Sequence, residues 1–357
     1  MAQLRFVGPF NGRLPEATGQ AVWHARKPDE FPLNRYVKYI PTESDLAYYV
    51  QLGFDAPVRV YSDEQMAWED GAKRDQMGED NGVEYQMIPF RTFRRNRAWT
   101  MGYKAIDQTK AFKLKPAHID TATSQILTNR VNRYSKFITN TANWGGNTAT
   151  ANTLNGGRGT WDTASDNPAD PGYNAIFATL QNVAQRLHLA TNGMIKPGGL
   201  KFVMSPGSAI KMSMTSEIVN YCRESPYSKA ILEQGLDPQY QRWGLPERFK
   251  GYEFVVEDAM IVTQQANVND AAGSEATTNR TYCFPDGKIV ACARPGTLDG
   301  TYGTKEYSTL QLYHYGPLLE VEGYDDPENR RVRGHVSEDT KEVVISATGY
   351  LITSVFS

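Results

Sequence analysis

The chain has 357 residues, of which 40% are hydrophobic and 22% charged, enough to bury the core of one large domain or two ordinary ones. A formal net charge of −2 excludes a polyanion binder held by overall charge, and three cysteines exclude a disulfide framework. The opening MAQLRFVGPFNGRLPEATGQ has no apolar segment and no window reaches roughly eighteen apolar residues, so neither a signal peptide nor a transmembrane helix is expected, and the expected compartment is a reducing cell interior.

Residues 1–45 interleave Gly8, Pro9, Gly12, Pro15, Pro28, Pro32 and Pro41 with Phe6, Phe10, Trp23, Phe31, Tyr36 and Tyr39. The prolines forbid a long helix, and the aromatics are too many for a disordered tail; an extended arm laid on another surface satisfies both. From 56 to 106 the pattern is a long excursion of strands. PVRVY (57–61) and VEYQM (83–87) alternate with period two around a polar, glycine-rich middle. Charge separates along it: eight acidic residues lie from Asp63 to Glu84, including Glu69, Asp70, Glu79 and Asp80, against Lys73 and Arg74. PFRTFRRNR then brings Arg91, Arg94, Arg95 and Arg97. A hairpin without a core of its own is marginal in water, so this one is expected to lie on something.

Pro116 is expected to open an amphipathic helix over 117–139, with Ile119, Ile126, Leu127, Val131, Tyr134, Phe137 and Ile138 as its stripe. Asn129, Arg130, Asn132 and Arg133 fall largely off that stripe. NWGGNTATANTLNGGRGT follows, a mobile segment or a boundary. The next helix carries Tyr173, Ile176, Phe177, Leu180, Val183, Ala184 and Leu187 at core spacing, with Asp170 as N-cap, Pro171 in the first turn and Asn192-Gly193 as the C-cap. LKFVM (200–204) predicts a buried strand, SPGS a turn, and Thr215 to about Leu232 a helical stretch broken near Pro226. YEFVVED (252–258) predicts a strand, and TYCFPDGKIVACA a hairpin turning at Asp286-Gly287. The remainder is nearly all strand, so the predicted class is α+β with mainly antiparallel sheet.

Chemistry-bearing patterns are sparse. His24, His118, His188, His314 and His335 share no ligand spacing with one another or with cysteine, and His188 reads as a packing or surface histidine. In the predicted hairpin Cys283 and Cys292 are diagonal, which disfavours a bridge, and Cys222 reads as an apolar filler. No GxSxG elbow, P-loop or GxGxxG occurs, so no catalytic, cofactor-binding or metal-binding residue is assigned. The cluster Arg91, Arg94, Arg95 and Arg97 interleaves with Phe90 and Phe93, as nucleic-acid stacking platforms do. Pairing with the acidic segment, in the same hairpin or a neighbouring subunit, is the reading set ahead of a solvated face and of nucleic-acid contact. In DDPENRRVRGHVSEDTKEVVIS, Val332, Gly334 and Val336 are expected to face inward, opposite Arg331, Arg333 and His335, with SEDTK as the turn of a C-terminal hairpin.

An aromatic arm and a coreless charged hairpin on a compact α/β block are what a self-assembling subunit requires. Trp161-Asp162, Asn167-Pro168 and Pro171 begin an ordered series that continues through GLKFVMSPGSAIKM, SEIVNY, FKGYEFVVEDA, FPDGKIVACARPG and VRGHVSEDTKEVVISATGYLI. Together they resemble the major capsid protein of tailed bacteriophages with the Hong Kong 97-like fold, most closely over about 160–357. The resemblance implies an N-terminal arm (1–45), an extended loop (46–110), a peripheral domain (111–160 with 311–357, including a spine helix) and an axial domain (161–310). It further implies hexamers and pentamers in an icosahedral shell around double-stranded DNA, in a virion assembled in the host cytoplasm, with a portal and possible decoration protein as partners. Many members begin with a scaffolding segment; this chain opens on the arm, so a separate scaffolding protein, or an already mature form, is expected. The loop at 145–159 exceeds what a minimal member needs, and no Lys–Asn cross-link is assigned. The expected subunit contacts are Glu69, Asp70, Glu79, Asp80, Arg91, Arg94, Arg95, Arg97, Arg330, Arg331 and Arg333. The alternatives are an encapsulin-like compartment shell and, from another class, a nucleic-acid-binding protein acting through Arg91–Arg97.

Overall fold

A computed structural model describes residues 12–13, 31–52, 85–108, 114–224, 238–264, 279–293 and 308–357. Its strands in chain order are β1 (Gly12–Arg13), β2 (Lys38–Thr42), β3 (Leu46–Leu52), β4 (Tyr85–Arg91), β5 (Phe93–Gly102), β6 (Thr148–Thr150), β7 (Leu200–Met204) and β8 (Arg248–Phe249). They continue as β9 (Tyr252–Val256), β10 (Met260–Gln264), β11 (Asn279–Tyr282), β12 (Ile289–Ala293), β13 (Leu310–Tyr315), β14 (Glu320–Asp326), β15 (Arg331–Val344) and β16 (Gly349–Thr353). The helices are α1 (Leu33–Tyr36), α2 (Tyr103–Gln108), α3 (Leu114–Ile138), α4 (Ala151–Leu154), α5 (Ala175–Ala190), α6 (Pro206–Ser213), α7 (Ser216–Glu224) and α8 (Pro238–Trp243). None is long and apolar enough to cross a membrane.

The class is α+β with mainly antiparallel pairing. One six-stranded sheet runs β1-β14-β15-β13-β2, with β5 joined to β15; the other runs β6-β16-β12-β7-β9-β8. The second sheet is buried on both faces, which explains the continuous apolar runs LKFVM, YEFVV and IVACA. Alternation divides each run. Phe202, Phe254, Ile289 and Ile352 enter a core under α5, while Val203, Val255, Val290 and Leu351 face a second core with Val131, Tyr134 and Ile138 of α3. A third core joins the front half of α3, at Ile119, Ile126 and Leu127, to Trp99 of β5 and Val332 and Val336 of β15.

The long helix forms where the stripe predicts, but two details differ. It begins at Leu114, so Pro116 sits inside the first turn instead of opening it. Arg130 is 1% exposed, because it lies four residues from both Ile126 and Tyr134 and therefore on the stripe. The next helix starts later than predicted, at Ala175, behind Asn174 in the left-handed region at φ 49°. Asp170 and Pro171 belong to a turn: the Tyr173 N–H donates to the Asp170 carbonyl, and the Asp170 carboxylate accepts from Ser165 Oγ at 2.6 Å. Gly172 fits there because a Cβ would stand 1.9 Å from the Thr163 carbonyl oxygen. The cap of α5 comes from elsewhere: Glu217 accepts from the Ile176 and Phe177 N–H groups, each at 3.0 Å.

Three predicted turns resolve otherwise. SPGS begins a helix, with Ser205 capping the Ser208 N–H and Pro206 in the first turn. TYCFPDGKIVACA is not a hairpin: β11 pairs with β10, whereas β12 lies between β7 and β16. Ile289–Ala293 is buried at every position and so takes an interior place. Cys222, Cys283 and Cys292 are free thiols. SEDTK makes no turn either; β15 runs unbroken, and the turn lies at Pro327–Arg330, with Arg330 at φ 49°. Ser337, Glu338 and Thr340 are buried, which a solvent-exposed tip does not permit. On β15 the predicted alternation holds: Val332, Gly334 and Val336 are buried, Arg333 is exposed, and Arg331 and His335 are half-buried.

Candidate assembly surface

The ribbon β3–β4 is the element that departs furthest from a self-sufficient fold. Its strands pair in a two-stranded sheet from Leu46↔Arg91 to Leu52↔Tyr85. It starts at Leu46, ten residues before the predicted excursion; PVRVY lies outside the described residues, and β5 leaves the ribbon to join the first six-stranded sheet. Opposed residues in an antiparallel pair share a face. One face carries Ala47, Phe90 and Tyr49 onto the core, with the Phe90 ring 4.6 Å from that of Tyr313 and 6.2 Å from that of Tyr49. The other face presents Leu46, Tyr48 and Met87, exposed by 65%, 64% and 57%. Among the described residues nothing covers this outer face, and exposed apolar patches of this kind mark interaction surfaces.

The arginines at the end of the ribbon and beyond it lie at separate stations. Arg91 meets Asp45 at 3.4 Å, and Arg94 meets Glu322 at 3.1 Å and Glu320 at 3.7 Å. The Tyr324 hydroxyl first, and Arg94 with it, hold the Glu322 carboxyl below its ordinary range. Arg95 donates to the Thr340 carbonyl at 3.2 Å, and burial, then the nearby Arg133, lowers its guanidinium from the ordinary value. Arg97 donates to Gln125 Oε1 of α3 at 2.6 Å. Glu69, Asp70, Glu79 and Asp80 lie outside the described residues, as do the arm's Phe6, Phe10 and Trp23. At the β14–β15 turn the Arg330 carbonyl accepts from the Tyr103 N–H, while Arg331 and Arg333 reach Asp326 at 2.9 and 3.9 Å. Chiefly through Arg331, this holds the Asp326 carboxyl low. Arg94, Arg95 and Arg97 of β5 and Arg331 and Arg333 of β15 thus lie in one sheet, Arg330 in its turn and Arg91 in the ribbon, not in one cluster.

Two buried polar arrangements escape sequence reading. Glu338 on β15 receives Arg130 and Arg133 of α3, each at 2.6 Å, and Arg133 also meets Glu342 at 3.1 Å. Burial alone would raise the Glu338 carboxyl, but the two guanidinium groups hold it below the usual range. Tyr39 of β2 lies with its ring 5.9 Å from the Arg130 guanidinium. The only signal in the sequence is a pair of arginines three apart beside an apolar stripe, which identifies no partner. The second arrangement joins the arm to the interior: the Tyr36 hydroxyl donates to Glu257 at 2.8 Å, both groups are fully buried, and burial pushes that carboxyl up to about 7.

Other candidate chemistry resolves into packing. His188 Nδ1 is 2.9 Å from the Ile195 carbonyl oxygen, and His314 Nδ1 is 2.9 Å from that of Gly316. Among the described residues no group of three His, Cys, Asp or Glu side chains is placed to hold a metal ion.

No protein-family profile and no curated protein sequence matches the chain. Among solved structures, a phage-related protein of Bordetella bronchiseptica RB50 superposes with a TM-score of 0.62 at 10% identity, over 97% of this chain and 98% of that one. A virus-like particle protein from Pyrococcus furiosus gives a TM-score of 0.49 at 10% identity, covering 94% and 96% of the two chains. The mature capsid of bacteriophage PhiM1 gives 0.48 at 12% identity, covering 90% and 86%. The first of these likenesses, at a TM-score of 0.62 across nearly all of both chains, shows that this chain has the fold of a phage-related protein.

Proposed function

We propose that the chain is a structural major capsid protein of a tailed bacteriophage, building hexamers and pentamers of an icosahedral shell around double-stranded DNA. The observation that carries this is the β3–β4 ribbon, whose outer face of Leu46, Tyr48 and Met87 is left exposed among the described residues. A second copy supplies such cover in every subunit at once, since a repeated surface meets a repeated surface. The shared fold with a phage-related protein agrees with this reading. The role is architectural and no catalytic step is assigned. Under the same reading the subunit resides in the virion, assembles in the host cytoplasm, and works with a separate scaffolding protein, a portal and a possible decoration protein. Residues 1–45 act as its arm and 46–110 as its extended loop; 111–160 with 311–357 form a peripheral domain, and 161–310 an axial one.

Nucleic-acid binding through Arg91, Arg94, Arg95 and Arg97 fits less well. Arg91 and Arg94 face carboxylates within the chain, which offsets the charge that phosphates would need. Changing all four to glutamine is expected to impair assembly without altering DNA retention on a filter. The test of the main reading is electron microscopy of purified full-length protein, with and without co-expressed scaffold. Closed particles holding DNA support a virion shell, and particles holding a cargo enzyme indicate an encapsulin-like compartment. Protein that stays monomeric under every condition overturns both.

A further inference from the structure

The short helix α8 turns Gln239, Arg242 and Trp243 to one side, since residues three and four apart share a helix face. They bound a cavity of about 200 Å³ together with Arg35 of α1, Glu247 just before β8 and Asp258 just after β9. Glu247 is already engaged by Arg35. The other polar groups of the cavity are not matched. Gln239 is 8% exposed, and its Nε2 has no hydrogen-bond partner among the described residues. A buried donor left unpaired is uncommon, because it has given up its hydrogen bonds to water without replacement. Asp258 is half-buried, and burial raises its carboxyl from the ordinary value, against its own backbone N–H and then Arg242. Arg242 acts on it only through space, as a charge across the cavity with no hydrogen bond between them.

The cavity therefore offers a guanidinium, an unpaired amide donor and a carboxyl group not in contact with that guanidinium, beside one flat aromatic side chain. A lone carboxylate would satisfy the two donors but bring a second negative charge to Asp258. A lone ammonium would satisfy Asp258 but leave Gln239 unpaired and add to the charge of Arg242. A molecule bearing both groups answers all three. The volume lies below the roughly 300–1,000 Å³ of drug-sized sites, so that molecule is small.

We propose that this cavity binds a small zwitterion of the free α-amino acid class, with its carboxylate on Arg242 and Gln239 Nε2 and its ammonium on Asp258. The site goes beyond the shell reading and stands or falls without it, since none of its residues belongs to the β3–β4 ribbon. The experiment is equilibrium dialysis of the full-length chain against radiolabelled glycine, L-alanine and L-serine. Saturable one-to-one binding of at least one of them is expected, weakened about tenfold or more by Arg242→Gln and by Asp258→Asn. Acetate and methylammonium are each expected to compete about tenfold less well than the unlabelled amino acid. On saturation, hydrogen exchange is expected to slow within residues 33–36, 238–243 and 256–258. Binding that never saturates, the behaviour of an excluded osmolyte, overturns the proposal, as does equal affinity in wild type and variants. Slowed exchange only in other segments places the ligand elsewhere and also overturns it. Acetate competing as well as the amino acid makes this a plain anion site and overturns the zwitterion. Arg242 is exposed, so Arg242→Gln is expected to keep the fold, which circular dichroism checks; should Asp258→Asn misfold, Arg242→Gln alone carries the test with the same expectations.

Discussion

Arg130 and Glu338 form the kind of buried ion pair whose loss is costly on one side only. Removing one partner leaves an uncompensated charge, on the order of 3–5 kcal/mol, whereas replacing both by apolar residues of similar size is often neutral or better. Glu338→Ala is therefore expected to lower unfolding stability by about 3–5 kcal/mol, and Arg130→Met with Glu338→Leu by much less, as measured by chemical denaturation. Equal losses in the two would show that the pair is not acting as a buried charge unit. Because the Glu338 carboxyl is held low, its contribution is present above the ordinary carboxylate range and fades as pH falls through its lowered value. Glu257 behaves in the opposite sense. The folded chain keeps its proton to about 7, while the unfolded chain releases one near the ordinary 4.5. Its burial thus costs increasingly more between those values as pH rises, and stays constant above them. Glu257→Gln is expected to raise the melting temperature at pH 8 and leave it nearly unchanged at pH 4; an equal shift at both would remove the titration from the account. Neither residue was legible in the sequence as a buried group. Glu338 stood among carboxylates that all looked solvent-facing, and only the register of β15 against α3 reveals which one turns inward.

At the scale of elements, periodicity carried most of what could be read. The stripe of α3 and the buried runs of β7, β9 and β12 are explicit in the residues, because the faces they cover accept only apolar side chains. Turns were harder. Asp286-Gly287 carries a strong hairpin signal, yet Asp286 accepts from Ser205 Oγ at the head of α6, and the two flanking strands pair elsewhere. Pairing between distant strands outweighs a local turn preference, and a single sequence does not display it. The charge pattern begins only after Leu46–Leu52, so alternation and charge alone miss the ribbon's first strand, which falls inside the 46–110 loop that the resemblance implies. The ribbon's two faces separate experimentally. Phe90→Ala is expected to cost about 3–5 kcal/mol of stability. Leu46→Ser, Tyr48→Ser and Met87→Ser are each expected to stay within about 0.5 kcal/mol while together abolishing assembly. Circular dichroism melts and sedimentation velocity on the same samples check both halves, and loss of fold in the outer-face variants would mean that the face is covered within the chain. Deleting residues 65–80 is likewise expected to leave the core folded and weaken shell formation.

At the scale of the whole molecule, two six-stranded sheets pack against one long helix, and a ribbon extends beside them with an apolar face that the described residues leave exposed. The class and the order of elements followed from composition and periodicity, and the family resemblance rested on an ordered series of short segments. The superposition on a phage-related protein shows that protein's fold over 97% of the chain at 10% identity. What the sequence withheld was mostly polar: which arginine is buried, which carboxylate it meets, and which strand edge stays open. These depend on register and on neighbours, not on local pattern. The most direct measurement is electron microscopy of the purified full-length chain, expressed with and without a candidate scaffolding protein. The account predicts closed icosahedral particles with six-fold and five-fold capsomers in which the β3–β4 ribbon contacts an adjacent subunit. A folded chain that sediments as a monomer in every condition would contradict it.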